Sequence, residues 1–227
     1  MTDAVKSRAK RRYHAPQRVE QAAATRHAVL EAARELFTTR GYAATRVGQI
    51  AERAGVAVDT LYATVGRKPV LLREVFETAL SGQDVPVPAE DRDYVKAIRA
   101  AASATEMITI YAGALGRIAP RLAPVHVAMR DAAAHDAACA ALYRELSQRR
   151  ARNMRLFAAN LRTTGELRAD LSDVEVADIV WSMASAEYYL LLVQDRRWTP
   201  QQYSDHLRDA WIRLLFANGD VVSASTS

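Results

Sequence analysis

The sequence predicts an all-α protein of two units, a small three-helix N-terminal unit and a larger helical domain. Three observations carry this. Alanine is abundant while only 9 Gly and 7 Pro occur among 227 residues, a balance that favours helix over strand. Apolar residues recur at i, i+3, i+4 and i+7 along nearly the whole chain, the period of a helix with one buried face. The one sustained turn-rich stretch, "SGQDVPVPAEDRD" at residues 81–93, sets the junction between the units.

Taken in order, residues 1–24 read as a basic flexible arm, with Lys6, Arg8, Lys10, Arg11 and Arg12 closely spaced. The first helix is expected near Thr25: "TRHAVLEAARELFTTRG" puts Val29, Ala33, Leu36 and Phe37 on one face, and Gly41 ends it. In "TRVGQIAERAG", Val47, Ile50, Ala51 and Ala54 share a face before a tight turn at Gly55. "VAVDTLYATVG" follows with Val58, Leu61, Tyr62 and Val65 at helical spacing. Pro69, tolerated in a first turn, opens a connecting helix whose Leu72, Val75, Phe76 and Ala79 face inward. The N-terminal unit therefore spans 25–82 and the helical domain 91–218, with 219–227 as a flexible tail. Within the larger domain helices are expected over about 91–101, 104–119, 123–134, 137–163, 173–194 and 200–217, with ends good to roughly 2–4 residues. Ser172-Asp173-Val174-Glu175 is a capping-box pattern, and Thr199-Pro200 sets a Thr cap before a first-turn proline.

Charge is unevenly placed. Residues 1–80 carry 14 Lys/Arg against 8 Asp/Glu, whereas residues 81–227 carry 17 against 18, so the whole net charge of +5 belongs to the first third. Such a block is either a solvated tail or a face for a polyanion. No run of about 18 apolar residues appears, and the N-terminus lacks an apolar leader core, so a membrane span and a secretory signal are not expected. A lone Cys139 permits no disulfide framework, which points to a cytoplasmic setting. Enzyme chemistry lacks its usual marks: no Gly-x-Ser-x-Gly, phosphate-cradling glycine loop or HExxH is present. Cys139 has no activating context, and five scattered histidines make no ligand set, so neither a metal nor a cofactor is expected.

Two short helices around a glycine turn fit a helix-turn-helix, whose second helix enters the major groove while the first crosses the backbone. Leu61 and Val65 face the small core, leaving Asp59, Thr60, Ala63 and Thr64 outward and Val58 at the exposed first turn. The methyls of Val58 and Thr60 suit contact with thymine methyls, and Thr60 can also hydrogen-bond a base edge. Here the chain resembles the tetracycline-repressor family of ligand-controlled transcriptional regulators. "AVLEAARELFTTRGYAAT", "VGQIAERAGV", "TLY" and "KPVLL" carry the resemblance, over about residues 25–80. It implies a DNA-binding helix-turn-helix followed by an all-helical ligand-binding and dimerisation domain. It also implies phosphate contacts at Thr45, Tyr62 and Lys68, where a hydroxyl, a phenol and an ammonium suit phosphate oxygens.

The chain departs from the family where Ser, Thr or Asn commonly starts a helix: Arg46, Ala57 and Arg67 stand there instead. A lost side-chain cap costs about 1 kcal/mol, and phosphate contacts from Arg46 and Arg67 are expected to compensate in the DNA complex. Asp59 either reads a cytosine amino group or favours its helix N-terminus. Lys10, Arg11 and Arg12 either enter an adjacent minor groove or remain without contact. A homodimer is expected through the last two helices, where Ala177, Val180, Trp181, Ala184, Tyr188, Leu191 and Leu192 form one apolar stripe and Tyr203, Leu207, Ala210, Trp211, Leu214 and Leu215 another. Met107, Tyr111, Met129, Tyr143, Phe157, Trp181 and Tyr188 are candidates to line a pocket for a small apolar or amphipathic ligand. His126 and Arg130 either hold an anionic ligand group or form a solvated pair, and Glu187 either takes a cationic ligand or pairs near the dimer interface. The expected function is a homodimeric repressor released from a palindromic operator by a small molecule. The competing reading is a DNA-binding activator or architectural protein without a ligand.

Overall fold

The computed structural model describes residues 4–217, with side chains from Arg18 onward. The N-terminal half holds α1 (Ala4–Arg40), α2 (Val47–Arg53), α3 (Val58–Thr64) and α4 (Lys68–Ser81). A 3-10 turn at Ala89–Asp91 leads to α5 (Asp93–Ala100), α6 (Ala104–Ala133), α7 (Ala137–Arg162) and α8 (Asp173–Met183). The chain closes with α9 (Ala186–Leu190), a π turn over Leu191–Asp195, and α10 (Pro200–Leu215). Among the described residues there is no strand beyond one antiparallel bridge between Leu167 and Phe216. The fold is all-α.

Three elements differ from the sequence expectation, each for a physical reason. The first helix begins at Ala4 rather than near Thr25, so the stretch expected to be an arm is helical; its many Ala, Lys, Arg and Gln are strong helix formers. Residues 18–24 are exposed, and core packing begins with Val29. The expected tail at 219–227 lies outside the described residues. The two helices expected over 104–119 and 123–134 are one, running through Pro120 and Pro124. Ile118, Ala119, Ala123 and Val125 are buried on both sides of the prolines, so continuous packing outweighs the lost backbone donors. Conversely, the helix expected over 173–194 breaks, because the Ser185 hydroxyl accepts from the Tyr188 N–H at 3.1 Å and starts a new helix. The caps read at Ser172 and Thr199 are present as full capping boxes.

Two apolar clusters hold the helices. One joins Phe37, Ile50, Leu61 and Leu72 of the N-terminal half to Met129 of α6 and Leu142 of α7. The other packs α6 against α7, α8 and α10 around Ile108, Tyr111, Leu207 and Trp211. At the α6–α10 crossing Gly116 leaves no room for a side chain: a Cβ there would sit 3.0 Å from Ser204 Cβ and 3.1 Å from the Pro200 carbonyl oxygen. Polar links fasten α4 to the domain behind it. Arg149 of α7 pairs with the buried Glu77 at 2.7 Å, Arg73 reaches Glu145 of α7 at 2.7 Å, and Arg121 of α6 donates to the Ala79 carbonyl at 2.6 Å. The helix after the helix-turn-helix is thus bonded directly to α6 and α7.

Candidate nucleic-acid interface and ligand cavity

The surface of α3 is set by one residue. Leu61 is fully buried and fixes the helix rotation, while Val65 packs half-buried against the same core. With a helical period the opposite face must then be open. Val58 (38%) and Tyr62 (45%) are exposed, as are Asp59, Thr60 and Ala63. Thr64 is half-buried, its hydroxyl donating to the Thr60 carbonyl at 2.7 Å. Gly55, at φ 69, supplies the left-handed turn between α2 and α3. Ala57 gives α3 no side-chain cap, and Asp59 stands in the first turn where its charge suits the helix N-terminus.

Arg46 and Arg67 occupy the N-cap positions of α2 and α4, are exposed, and make no ion pair among the described residues. The missing cap at Arg46 is offset from within α2: the Gln49 side chain accepts from the Arg46 N–H at 2.8 Å. Arginine itself is donor-only and cannot complete the reciprocal bond. Tyr62, Arg67 and Lys68 meet Val47 around one open groove, at the rim of α3. A second groove separates α3 from α1, with Ala22, Ala23 and Arg26 facing Asp59, Thr60 and Thr64.

Thr45 requires a correction. It is only 1% exposed, and its hydroxyl lies 2.8 Å from the Gly41 carbonyl and 3.2 Å from that of Leu36. The residue ties the end of α1 to the start of α2 and cannot reach a phosphate. Lys68 has a double role. Its ammonium donates to the Tyr42 carbonyl at 2.5 Å and lies 4.0 Å over the Tyr42 ring, while burial lowers its pKa from the ordinary lysine value. An ammonium has three donors, so others remain for an anion. Cys139, fully buried, sits beside Tyr42, and burial pushes its thiol pKa up. It is a packing residue between α7 and the N-terminal half.

Residues 29–75 match the model of the bacterial regulatory proteins of the tetR family. The N-terminal domain belongs to the tetR family. Such a domain is that of a DNA-binding regulator of transcription, and the match falls on the stretch whose motifs carried the resemblance. Solved structures of similar fold extend the likeness along the chain. The SmeT–triclosan complex has a TM-score of 0.67 at 16% identity, over 89% of this chain and 96% of its own. NalD, the secondary repressor of the MexAB-OprM multidrug efflux pump in Pseudomonas aeruginosa, has 0.67 at 17%, over 87% and 100%. A transcriptional regulator from Saccharomonospora viridis in complex with choline has 0.65 at 18%, over 85% and 98%. Comparison with curated protein sequences finds no match. Among the described residues no single helix is long and apolar enough to cross a membrane, and no group of His, Cys, Asp and Glu could hold a metal ion.

The pocket candidates do not converge on one place. Met129 and Tyr143 belong to the cluster shared with the N-terminal half. Met107, Tyr111 and Phe157 are buried in the second cluster, with Trp181 and Tyr188 packed at its edge. A cavity of about 170 Å³ opens between α5, α6 and α7, and of the seven candidates only Tyr111 and Phe157 line it. Tyr94, Arg99, Asn153 and Met154 are among its other lining residues. The sequence did carry a signal for α7: Asn153, Met154 and Phe157 follow helical spacing, although an asparagine on that face does not look like an apolar stripe. Tyr111 is held in place by stacking on Trp211 at 5.7 Å and tilting against Phe157 at 5.0 Å. A larger cavity of about 240 Å³ lies at the junction, lined by Ser81, Arg92, Tyr94, Arg117 and Arg121.

His126 and Arg130 converge on Glu187 rather than on each other: Arg130 pairs with it at 2.7 Å and the His126 Nε2 lies 3.9 Å away. Burial lowers the His126 pKa, outweighing the opposing charge of Glu187. The two apolar stripes read on the last helices are largely consumed inside the chain. Ala177, Val180, Tyr203, Leu207, Trp211 and Leu215 are buried, whereas Leu191 (57%) and Leu214 (43%) stay exposed.

Proposed function

We propose that the protein is a homodimeric cytoplasmic repressor that holds a palindromic operator and leaves it when a small molecule occupies the helical domain. The observation that carries this reading is the exposed row of α3, Val58, Asp59, Thr60, Tyr62 and Ala63, on a helix anchored by a fully buried Leu61. In it Val58 and Thr60 read base edges, while Tyr62, Arg46, Arg67 and Lys68 bind phosphates. The half-buried Thr64 borders the groove between α3 and α1. One such unit spans few phosphates, so two copies with half-sites about one turn apart are required for tight binding. The exposed Leu191 and Leu214, with Val174, offer the apolar surface for that pairing.

Release follows from linkage. A ligand that prefers a domain arrangement with misplaced α3 helices weakens DNA binding by its differential affinity, typically about 1–3 kcal/mol. The Glu77–Arg149 and Arg73–Glu145 pairs make α4 the lever, because they bond it to α7 beside the 170 Å³ cavity. Structures of similar fold in complex with triclosan and choline support a small-molecule role for this domain. Selecting bound duplexes from a random pool tests the reading. A recovered inverted repeat supports it, and a pool from which nothing is enriched contradicts it.

A further inference from the structure

Three arginines line the cavity of about 240 Å³ where α4, α5 and α6 join. Arg92 is the N-cap of α5, and Arg117 and Arg121 lie one turn apart on α6. Arg92 and Arg121 are half-buried and Arg117 is exposed. None of the three makes an ion pair among the described residues. Two acids share the wall, and each is otherwise placed. Asp91 lies 3.9 Å from Lys96, and Asp93 stands in the first turn of α5, where its charge suits the helix N-terminus.

Backbone groups, not carboxylates, hold two of these cations in place. Arg121 donates through Nε to the Ala79 carbonyl at 2.6 Å and through Nη1 to the Arg117 carbonyl at 3.0 Å. Gly82, at φ 70, leaves room for that guanidinium: a Cβ there would sit 2.7 Å from Nη2. Arg92 donates to the Val87 carbonyl through Nε at 3.1 Å and Nη2 at 3.0 Å. Burial lowers the Arg121 pKa, and the charge of Arg117 lowers it further. A solvated arginine needs neither a backbone anchor nor a glycine to clear its path. Each guanidinium has five donors, so most of those at the cavity stay open.

We propose that this junction cavity is an anion site, in which Arg92, Arg117 and Arg121 bind the phosphate or carboxylate group of a small molecule. Planar guanidinium forks match the oxygens of either group. A cavity of about 150 Å³ accommodates benzene, so the larger one has space for a ring and its charged substituent. Tyr94, Val87 and Ile118 give that ring an apolar wall. Leu80 and Ser81 bring the end of α4 to the same cavity. An anion that relieves the repulsion between Arg117 and Arg121 therefore favours the arrangement in which Arg121 holds the Ala79 carbonyl of α4. The site stands apart from the ligand-released reading above, and only its effect on DNA rests on that reading.

Calorimetric titration of the full chain, without DNA and at about 0.15 M salt to screen surface charge, tests this with phenyl phosphate, phenylacetate and benzyl alcohol. At least one anion is expected to bind about 10-fold more tightly than the alcohol, the scale of a charge-assisted hydrogen bond, and the tighter anion names the head group. Arg117→Met should weaken that anion about 10-fold and leave the alcohol unchanged. Arg155→Met, at an exposed arginine outside the cavity, should change neither. Equal affinities for all three probes, anion binding unchanged in Arg117→Met, an equal loss in Arg155→Met, or no binding of any probe at about 10 mM would each overturn the proposal. Should Arg117→Met fail to fold, the wild-type and Arg155→Met titrations still decide. DNA affinity is scored separately by anisotropy: anion binding that leaves it unchanged supports the site and contradicts its coupling to α4.

Discussion

Replacing Thr45 by valine separates a structural threonine from a DNA-contacting one. The two side chains are nearly isosteric, so the change removes a hydroxyl with little change of volume. In the structure that hydroxyl is 1% exposed and satisfies the Gly41 carbonyl at 2.8 Å, with the Leu36 carbonyl at 3.2 Å. Losing the bond and leaving buried carbonyl groups short of a partner should cost about 1–3 kcal/mol. For a chain of this size that lowers Tm by roughly 2–4 °C per kcal/mol. The salt dependence of DNA binding should not change, because no phosphate contact is lost; each lost contact would reduce the slope by about 1. Thermal melts and anisotropy titrations at several salt concentrations measure both quantities. A variant with unchanged Tm and a slope reduced by about one unit would refute the structural assignment.

Four other outcomes follow from the same geometry. Changing both Arg46 and Arg67 to serine should flatten the salt slope by roughly 1 unit per lost contact while leaving the melt unchanged or slightly improved; an unchanged slope would remove their assigned role. Tyr62→Phe deletes an exposed hydroxyl, so binding of a selected duplex should weaken with no shift in Tm, and equal affinity would place Tyr62 off the DNA. Gly116→Val pushes a side chain into Ser204 and the Pro200 carbonyl, and should cost about 1–3 kcal/mol by overpacking; a neutral melt would contradict the α6–α10 crossing. His126 is disfavoured in its charged form by burial, so below about pH 6.5 the unfolded chain binds more protons and stability drops as the pH is lowered. His126→Gln should flatten stability between about pH 7 and 5, and denaturant melts with the same slope in both proteins would refute it.

The helical class, the helix-turn-helix and the face of α3 were legible because each rests on local periodicity and a few turn residues. Leu61 inward with Val58, Thr60 and Tyr62 outward needed only the helical repeat. What was illegible depends on partners distant in sequence. Nothing local to Thr45 shows that the carbonyls of Leu36 and Gly41 close around it. The prolines of α6 read as a break because the packing that carries the helix through them comes from other elements. Ser185 is a cap residue set inside an apolar run, where periodicity masks it, and it splits α8 from α9. The pocket was the least legible part. An apolar stripe describes core as well as cavity, so Met129 and Tyr143 joined the N-terminal core, while the residues that do form the wall include Arg99 and Asn153.

The central claim is that α3, displayed twice by a symmetric pair of chains, reads a specific duplex. Selection from a random duplex pool, followed by anisotropy of the recovered site with wild type and Thr60→Ala, measures it most directly. The prediction is an inverted repeat with half-sites about one helical turn apart, with Thr60→Ala losing discrimination at one base position per half-site while its melt stays unchanged. Recovery of no preferred duplex, or of one that Thr60→Ala binds with unaltered specificity, would contradict it.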